Sequence, residues 1–281
     1  MNISELKSQY TDIQKLKKGG QKTVYLAKDR NGRKIALKII NDAFDPRVLQ
    51  EIEILKDLKL DNVPKIIDSG TVKDEVINED ALYIVEEYVE GISLRDWLNN
   101  GNTANITSAF NLAYTLILIE IELEKIGILH RDINPNNIIL GNDGTTYLID
   151  FGLAKILGGT SLTYTASTFG PFTPGYAPHE QFANLKLLQD VRTDLYQIGV
   201  TIYEYCTGSN PFVKTNDTLY QVMTKTMTFR PAALNINGDT KGMFSQFINM
   251  LMAKNQSQRP DTAVDAMRYL EAIKKTLELE E

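Results

Sequence analysis

The order of hydrophobic patterns along this chain of 281 residues predicts an α+β protein of two lobes. A small five-stranded β-sheet with one helix comes first, and a larger, mostly helical lobe follows. Three observations predict this. Roughly the first ninety residues are dominated by short β-rich runs separated by turn signals. After Gly91 the pattern changes to long helical segments. No repeat, low-complexity tract or Pro- or Gly-rich linker interrupts the chain, so it reads as one domain, residues 1–88 forming the first lobe and 89–281 the second.

The elements follow in order. Tyr10 to Lys17 is a short β-like run ending in a lysine-glycine turn. Thr23 to Ala27 and Lys34 to Ile40 are β-rich, and the turn Asp29-Arg30-Asn31-Gly32 between them is a hairpin signal. Asp45-Pro46 reads as an N-cap followed by proline at the first helical position, opening a helix to about Lys59. Lys65 to Val72 and Ala81 to Tyr88 complete the five strands, and Glu87 to Gly91 is the expected hinge. Ser93 caps a short helix ending at Asn99-Asn100-Gly101. Thr107 to Lys125 is a long helix, apolar around much of its surface and therefore buried. Ile138 to Leu140 and Tyr147 to Ile149 are short strands. Gly158 to Pro178, rich in Thr, Ser, Gly and Pro, is an extended loop. Helices are expected at Thr193 to Thr207, stopped by Gly208, and near 218–226, 240–253 and 262–279.

Composition narrows the function classes. The net charge of −6 argues against a nucleic-acid partner, which needs a basic face. The single cysteine, Cys206, excludes an internal disulfide framework and fits a reducing, cytoplasmic setting; with only two histidines beside it, a structural zinc site is excluded too. Met1 to Tyr10 lacks the apolar core of a signal peptide. The most apolar stretch, Ala113 to Ile119, runs into Glu120, Glu122 and Glu124, short of the ~20 apolar residues of a membrane span, so no membrane partner is expected.

The chemistry-bearing residues cluster between the two lobes. His130-Arg131-Asp132-Ile133-Asn134-Pro135-Asn136-Asn137 reads H-R-D-x-x-x-x-N. Asp150-Phe151-Gly152 follows, and Ile35-Ala36-Leu37-Lys38 lies upstream in a strand. Together they resemble the signature set of the eukaryotic-like (Hanks-type) Ser/Thr protein kinases, in the family's order and spacing, over roughly residues 10 to 275. The resemblance implies the bilobal protein-kinase fold and transfer of the γ-phosphate of Mg·ATP, with Mn²⁺ as an alternative ion, to hydroxyls of a protein substrate. It assigns Asp132 as catalytic base, Asp150 and Asn137 as metal ligands, and Lys38 as the cation at the α- and β-phosphates. The helix after Pro46 offers Lys38 a partner. Glu51 shares the inward face marked by Val48, Ile52 and Leu55, whereas Glu53 lies on a solvated side, so Glu51 is the expected ion-pair partner. The nucleotide contacts implied are Leu16, Gly19 and Gly20 at the glycine loop, Val24 and Ala36 over the base, Ile139 below it, Glu87 and Val89 through their backbones, and Ser93 at the ribose.

Three positions depart from the family pattern. The loop Lys17-Lys18-Gly19-Gly20-Gln21-Lys22-Thr23-Val24 keeps only Gly19 of the family's three glycines, with Lys17, Lys18 and Lys22 beside it, which bears on ATP affinity. Asn134 replaces the lysine that in the family touches the γ-phosphate. Glu86 stands where an apolar residue is usual at the rear of the pocket.

Downstream residues point to a protein acceptor. Thr173-Pro174-Gly175-Tyr176-Ala177-Pro178-His179-Glu180 resembles the family segment that lines the peptide groove, with His179 in place of a proline. Glu180 is expected to pair with Arg259, Asp194 to brace the backbone at His130 and Arg131, and Thr173 to bond near Asp132. Arg131 is of the kind that binds a phosphate on the 160–173 loop, and autophosphorylation is expected at one of 160–168. Two other readings stay open: a pseudokinase scaffold, favoured by the weak glycine loop and Asn134, and a small-molecule kinase, disfavoured by the Thr173 to Glu180 stretch. The brevity resembles bacterial stand-alone kinases, and control through a regulatory protein partner is expected.

Overall fold

The computed structural model describes residues 1–18, 22–40, 47–56, 60–74, 79–150 and 172–279. The chain divides into two compact units, the first over Met1–Glu90 and the second beginning at Gly91.

In the first unit, β1 (Thr11–Lys18), β2 (Lys22–Lys28), β3 (Lys34–Ile40), β4 (Ile66–Asp74) and β5 (Glu79–Glu87) form one antiparallel sheet in the order β1-β2-β3-β5-β4. The β2–β3 turn is set by Asp29, whose Oδ1 accepts the N–H groups of Asn31 and Arg33, and by Gly32 at φ 77°. Alternation along the strands sorts the side chains into two faces. One face carries Ala27, Ile35, Leu37, Ile39, Tyr83 and Val85, all buried, together with Leu6.

Leu6 comes from α1 (Ile3–Lys7), a helix the sequence reading did not anticipate. A capping box starts it: Asn2 Oδ1 accepts from Glu5 N–H, and Glu5 Oε2 accepts from Asn2 N–H. Such a cap contributes on the order of 1 kcal/mol, so the burial of Leu6 does most to hold so short a helix. Helix α2 is described over Arg47–Lys56; Asp45 and Pro46 at its expected start and residues 57–59 at its expected end lie outside the described residues. Its Ile52 and Leu55 are buried, while Glu53 is exposed and bonds Lys56, as the helical periodicity requires.

The second unit opens with a small sheet of β6 (Gly91–Ser93), β7 (Ile138–Gly141) and β8 (Thr146–Leu148). Strand β6, also not anticipated, needs glycine at its start because a Cβ on Gly91 would strike the Leu140 carbonyl. Its helices among the described residues are α3 (Leu94–Asn99), α4 (Ile106–Lys125), α5 (His179–Phe182), α6 (Val191–Thr207), α7 (Leu219–Thr228), α8 (Met243–Leu251) and α9 (Ala263–Lys274). Helix α6 ends at Gly208, which takes φ 74° as a left-handed C-cap. The last helix stops at Lys274, five residues earlier than expected.

Helix α4 packs against α6 and α9 and buries Phe110, Leu112, Leu116, Ile117, Ile119 and Leu123. Its 20 residues are long and apolar enough to cross a membrane by length and composition, contrary to the shorter apolar run read from the sequence. Here this helix supplies much of the core of the helical unit.

Candidate active site

The first unit presents part of the predicted site on the second face of its sheet. The register pairs Val24 with Lys38, Leu26 with Ala36, Ala36 with Glu86 and Lys38 with Ile84. Directly paired residues share a face, so Val24, Ala36 and Lys38 lie together, joined by Leu26, Ile84 and Glu86. Ala36 and Lys38 are buried and Val24 is half-buried. The Lys38 ammonium meets the Glu86 carboxylate in an ion pair. The Glu51 side chain, expected in that role, lies outside the described residues, as do Gly19, Gly20 and Gln21. Leu16 sits in the bulge of β1 between Lys15, opposite Tyr25, and Lys17, opposite Val24, and is 44% exposed. Glu87 ends β5; its N–H donates to the Lys65 carbonyl at 3.0 Å, and Val89 follows, half-buried.

The second unit carries the segment expected to be catalytic. Asp132 lies between two donors. Asn137 Nδ2 donates to Asp132 Oδ2 at 3.0 Å and to its backbone carbonyl at 2.8 Å. Thr173 Oγ1 donates to Asp132 Oδ1 at 2.6 Å, which is the bond expected of Thr173. These contacts fix the Asp132 carboxylate, and they also fix the Asn137 amide: with its nitrogen committed to Asp132, its oxygen points the other way. Ile149 N–H donates to the Asn137 carbonyl at 2.8 Å, which ties the residue before Asp150 to the same turn. Asn137 and Asp150 together offer only hard oxygen donors. Among the described residues no group of three or more His, Cys, Asp or Glu side chains forms a ready-made metal cage. A site with one carboxylate and one amide oxygen suits Mg²⁺, which keeps several waters and takes further oxygens from a substrate phosphate.

The loop behind these side chains is held by buried polar groups. Asp194, fully buried on α6, accepts the His130 N–H at 2.8 Å on Oδ2 and the Arg131 N–H at 2.7 Å on Oδ1. His130 is buried too; its Nδ1 accepts from Asp132 N–H, which leaves Nε2–H to donate to the Ile149 carbonyl. Gln197 accepts the Ile133 N–H at 2.7 Å and donates to the Arg131 carbonyl at 3.1 Å. Gln181 donates to that same carbonyl at 2.7 Å and accepts from Gln197. Arg131 at φ 62° and Asp150 at φ 61° both hold left-handed backbone conformations, each a cost of about 1–3 kcal/mol that the surroundings must impose.

Asn134, the departure from the family lysine, has a local role. It is the N-cap of the single turn Pro135–Asn137: its Oδ1 accepts from Asn136 N–H and its Nδ2 donates to the Asp132 carbonyl. Being 2% exposed, it is built into the loop. Ser93 likewise acts as a cap, accepting from Asp96 N–H and donating to the Asp96 carboxylate at 2.6 Å. Ile139 pairs with Ser93 across β6–β7.

Further buried networks brace the segment after Thr173. Glu180 and Arg259 form the expected ion pair, both almost fully buried. Tyr176 donates to Glu204, and Arg95 bonds both, Glu204 at 2.8 Å and the Tyr176 hydroxyl at 2.6 Å. Glu120, on α4, is fully buried with neither carboxyl oxygen hydrogen-bonded. Burial, then the charges of Asp194 and Glu124, push its carboxyl well above the usual range. Residues 160–168, where phosphorylation is expected, lie outside the described residues.

The sequence reading missed the Gln181–Gln197 clamp and the Lys38–Glu86 contact. Gln197 sits three residues after Asp194 on α6, a spacing that signals a shared helix face. Glu86 announced itself by being acidic in an apolar strand.

Comparison with known proteins agrees with this geometry. The family model for the protein kinase domain matches residues 10–270. A probable serine/threonine-protein kinase of Clostridium perfringens, CPE1738, is 31% identical over 96% of this chain and 39% of its own length. The probable serine/threonine-protein kinase PknB of Bifidobacterium longum is 31% identical over 90% of this chain and 38% of its own. The chain thus spans about two-fifths of the length of these curated relatives. In fold, the crystal structure of the Mycobacterium tuberculosis PknI kinase domain superposes with a TM-score of 0.66, at 19% identity and 96% coverage of both chains. With the motif residues gathered on one sheet face and in one braced loop, and a family match over nearly the whole length, the chain belongs to the protein kinase domain family.

Proposed function

We propose that this chain transfers the γ-phosphate of Mg·ATP to serine or threonine hydroxyls of a protein substrate. The observation that carries the reading is the double restraint on Asp132. A general base needs a fixed carboxylate within reach of the acceptor proton, and Asn137 and Thr173 hold Asp132 from two sides. Asp132 takes the hydroxyl proton and orients the acceptor oxygen. The oxygen donors of Asn137 and Asp150 would hold a divalent ion, which when bound would neutralise charge on the phosphates. Mg²⁺ fits a two-donor site better than an ion that demands a full protein cage, and Mn²⁺ is the nearest substitute. Lys38 supplies the cation for the nucleotide phosphates. The names of the bacterial relatives and the segment Thr173 to Glu180 support a protein acceptor over a small molecule. Autophosphorylation at 160–168, control by a protein partner and a cytoplasmic location belong to the same reading.

The test is transfer of label from γ-labelled ATP, with Mg²⁺ or Mn²⁺, to the chain itself and to a generic protein acceptor. Label in the wild type that maps to Ser or Thr and disappears in D132N and D150N supports the reading. Binding of nucleotide with no transfer under either ion would replace it with the scaffold reading.

A further inference from the structure

The position at which β5 departs from the family pattern is the one whose side chain meets Lys38. Register explains the meeting. Ala36 faces Glu86 and Lys38 faces Ile84, so Lys38 and Glu86 are diagonal neighbours on one face, within reach for two long side chains. Both strands are interior to the sheet, β3 between β2 and β5, and β5 between β3 and β4. Ladder bonds on both sides therefore fix the two backbones. The side chains are 7% and 12% exposed. An apolar residue at position 86 would avoid the desolvation that a buried carboxylate incurs, so an acid here calls for a reason beyond packing.

We propose that Glu86 is a positioning residue for Lys38. Its carboxylate holds the ammonium on the second face of the sheet, so the alignment of the lysine is supplied by two interlocked strands in addition to any carboxylate on α2. An ammonium has three N–H donors. With one directed at Glu86, the carboxylate limits the directions the others can take. This inference rests on the kinase reading above and deepens it. Lys38 keeps its alignment even when helix α2 shifts, because neither strand depends on that helix for its register.

E86Q keeps the shape and removes the charge; E86M restores the usual apolar character. The expected result for both is a KM for ATP raised about tenfold or more, the size of one charge-assisted hydrogen bond. The KM for the protein acceptor stays within about twofold, a split that general loosening of the fold does not produce. Unchanged ATP kinetics in both variants overturn the proposal. A second readout needs no turnover: the rate at which an amine-reactive acylating reagent labels Lys38 in the full chain, read by peptide mass spectrometry. Faster labelling in E86Q than in wild type supports the restraint, and equal labelling overturns it. A wild-type chain that transfers no phosphate defeats the kinase reading, while the labelling rates still decide whether Glu86 holds Lys38.

Discussion

Asp194 and Arg131, 63 residues apart, are joined by a 2.7 Å bond from the Arg131 N–H to Asp194 Oδ1, and the other oxygen of the same carboxylate takes the His130 N–H. One buried side chain thus holds two successive peptide groups next to the proposed base. Hydrogen bonds to charged groups contribute about 1.5–3 kcal/mol each. D194A is expected to lower the unfolding free energy by at least about 3 kcal/mol and to abolish detectable transfer; D194N, which keeps the shape, loses less stability. Urea unfolding beside the transfer assay measures both.

Thr173 restrains the other side of the Asp132 carboxylate. T173A removes the donor, and kcat should fall about 10–100-fold, the equivalent of one charge-assisted bond. T173S keeps the hydroxyl and should stay within about fivefold of wild type. A T173A enzyme with unchanged kcat would show that Asn137 alone suffices to fix Asp132.

Glu120 carries a pH dependence. Its folded-state carboxyl holds its proton well above the ordinary value of 4.5. The unfolded chain loses that proton at the ordinary value, so above it the folded state binds more protons, and rising pH favours unfolding until the folded carboxyl also ionises. E120Q removes this effect. Its stability advantage over wild type should widen as pH rises above the ordinary carboxylate range in denaturant titrations. Parallel stability profiles for the two proteins would mean that Glu120 is not held neutral.

The Glu180–Arg259 pair tests the buried scaffold behind the segment that follows Thr173. E180Q leaves the Arg259 guanidinium, 1% exposed, without its carboxylate. Breaking a buried pair from one side costs about 3–5 kcal/mol. Thermal unfolding should show a fall in Tm for E180Q larger than that for R268A, which removes only an exposed pair with Asp265.

The residues proposed to do the chemistry were legible because their spacing is short: Asp132, Asn137 and the Asp150 triplet lie close together in the chain, and Lys38 sits in an uninterrupted strand. The Glu180–Arg259 and Asp194 contacts, though distant in sequence, followed from the family resemblance. The Lys38–Glu86 pair did not, because it depends on the β3–β5 register between segments separated by a helix and a strand. Period-2 alternation gave each strand but no pairing offset. The Gln181–Gln197 clamp was hidden for a related reason, since amide side chains carry no periodic signature and their common target, the Arg131 carbonyl, is a backbone atom. Helix α1 escaped notice because five residues are too few for a helical period to show; only the Asn2 and Glu5 spacing marked it.

The left-handed backbones of Arg131 and Asp150 have a consequence for how the segment is held together. An arginine seldom adopts this conformation and an aspartate does so more readily, so the Arg131 backbone depends the more on the neighbours that hold it. Asp194 holds the Arg131 N–H while Gln181 and Gln197 hold its carbonyl, so both ends of the strained residue are tied and its φ is set by three side chains from outside the loop.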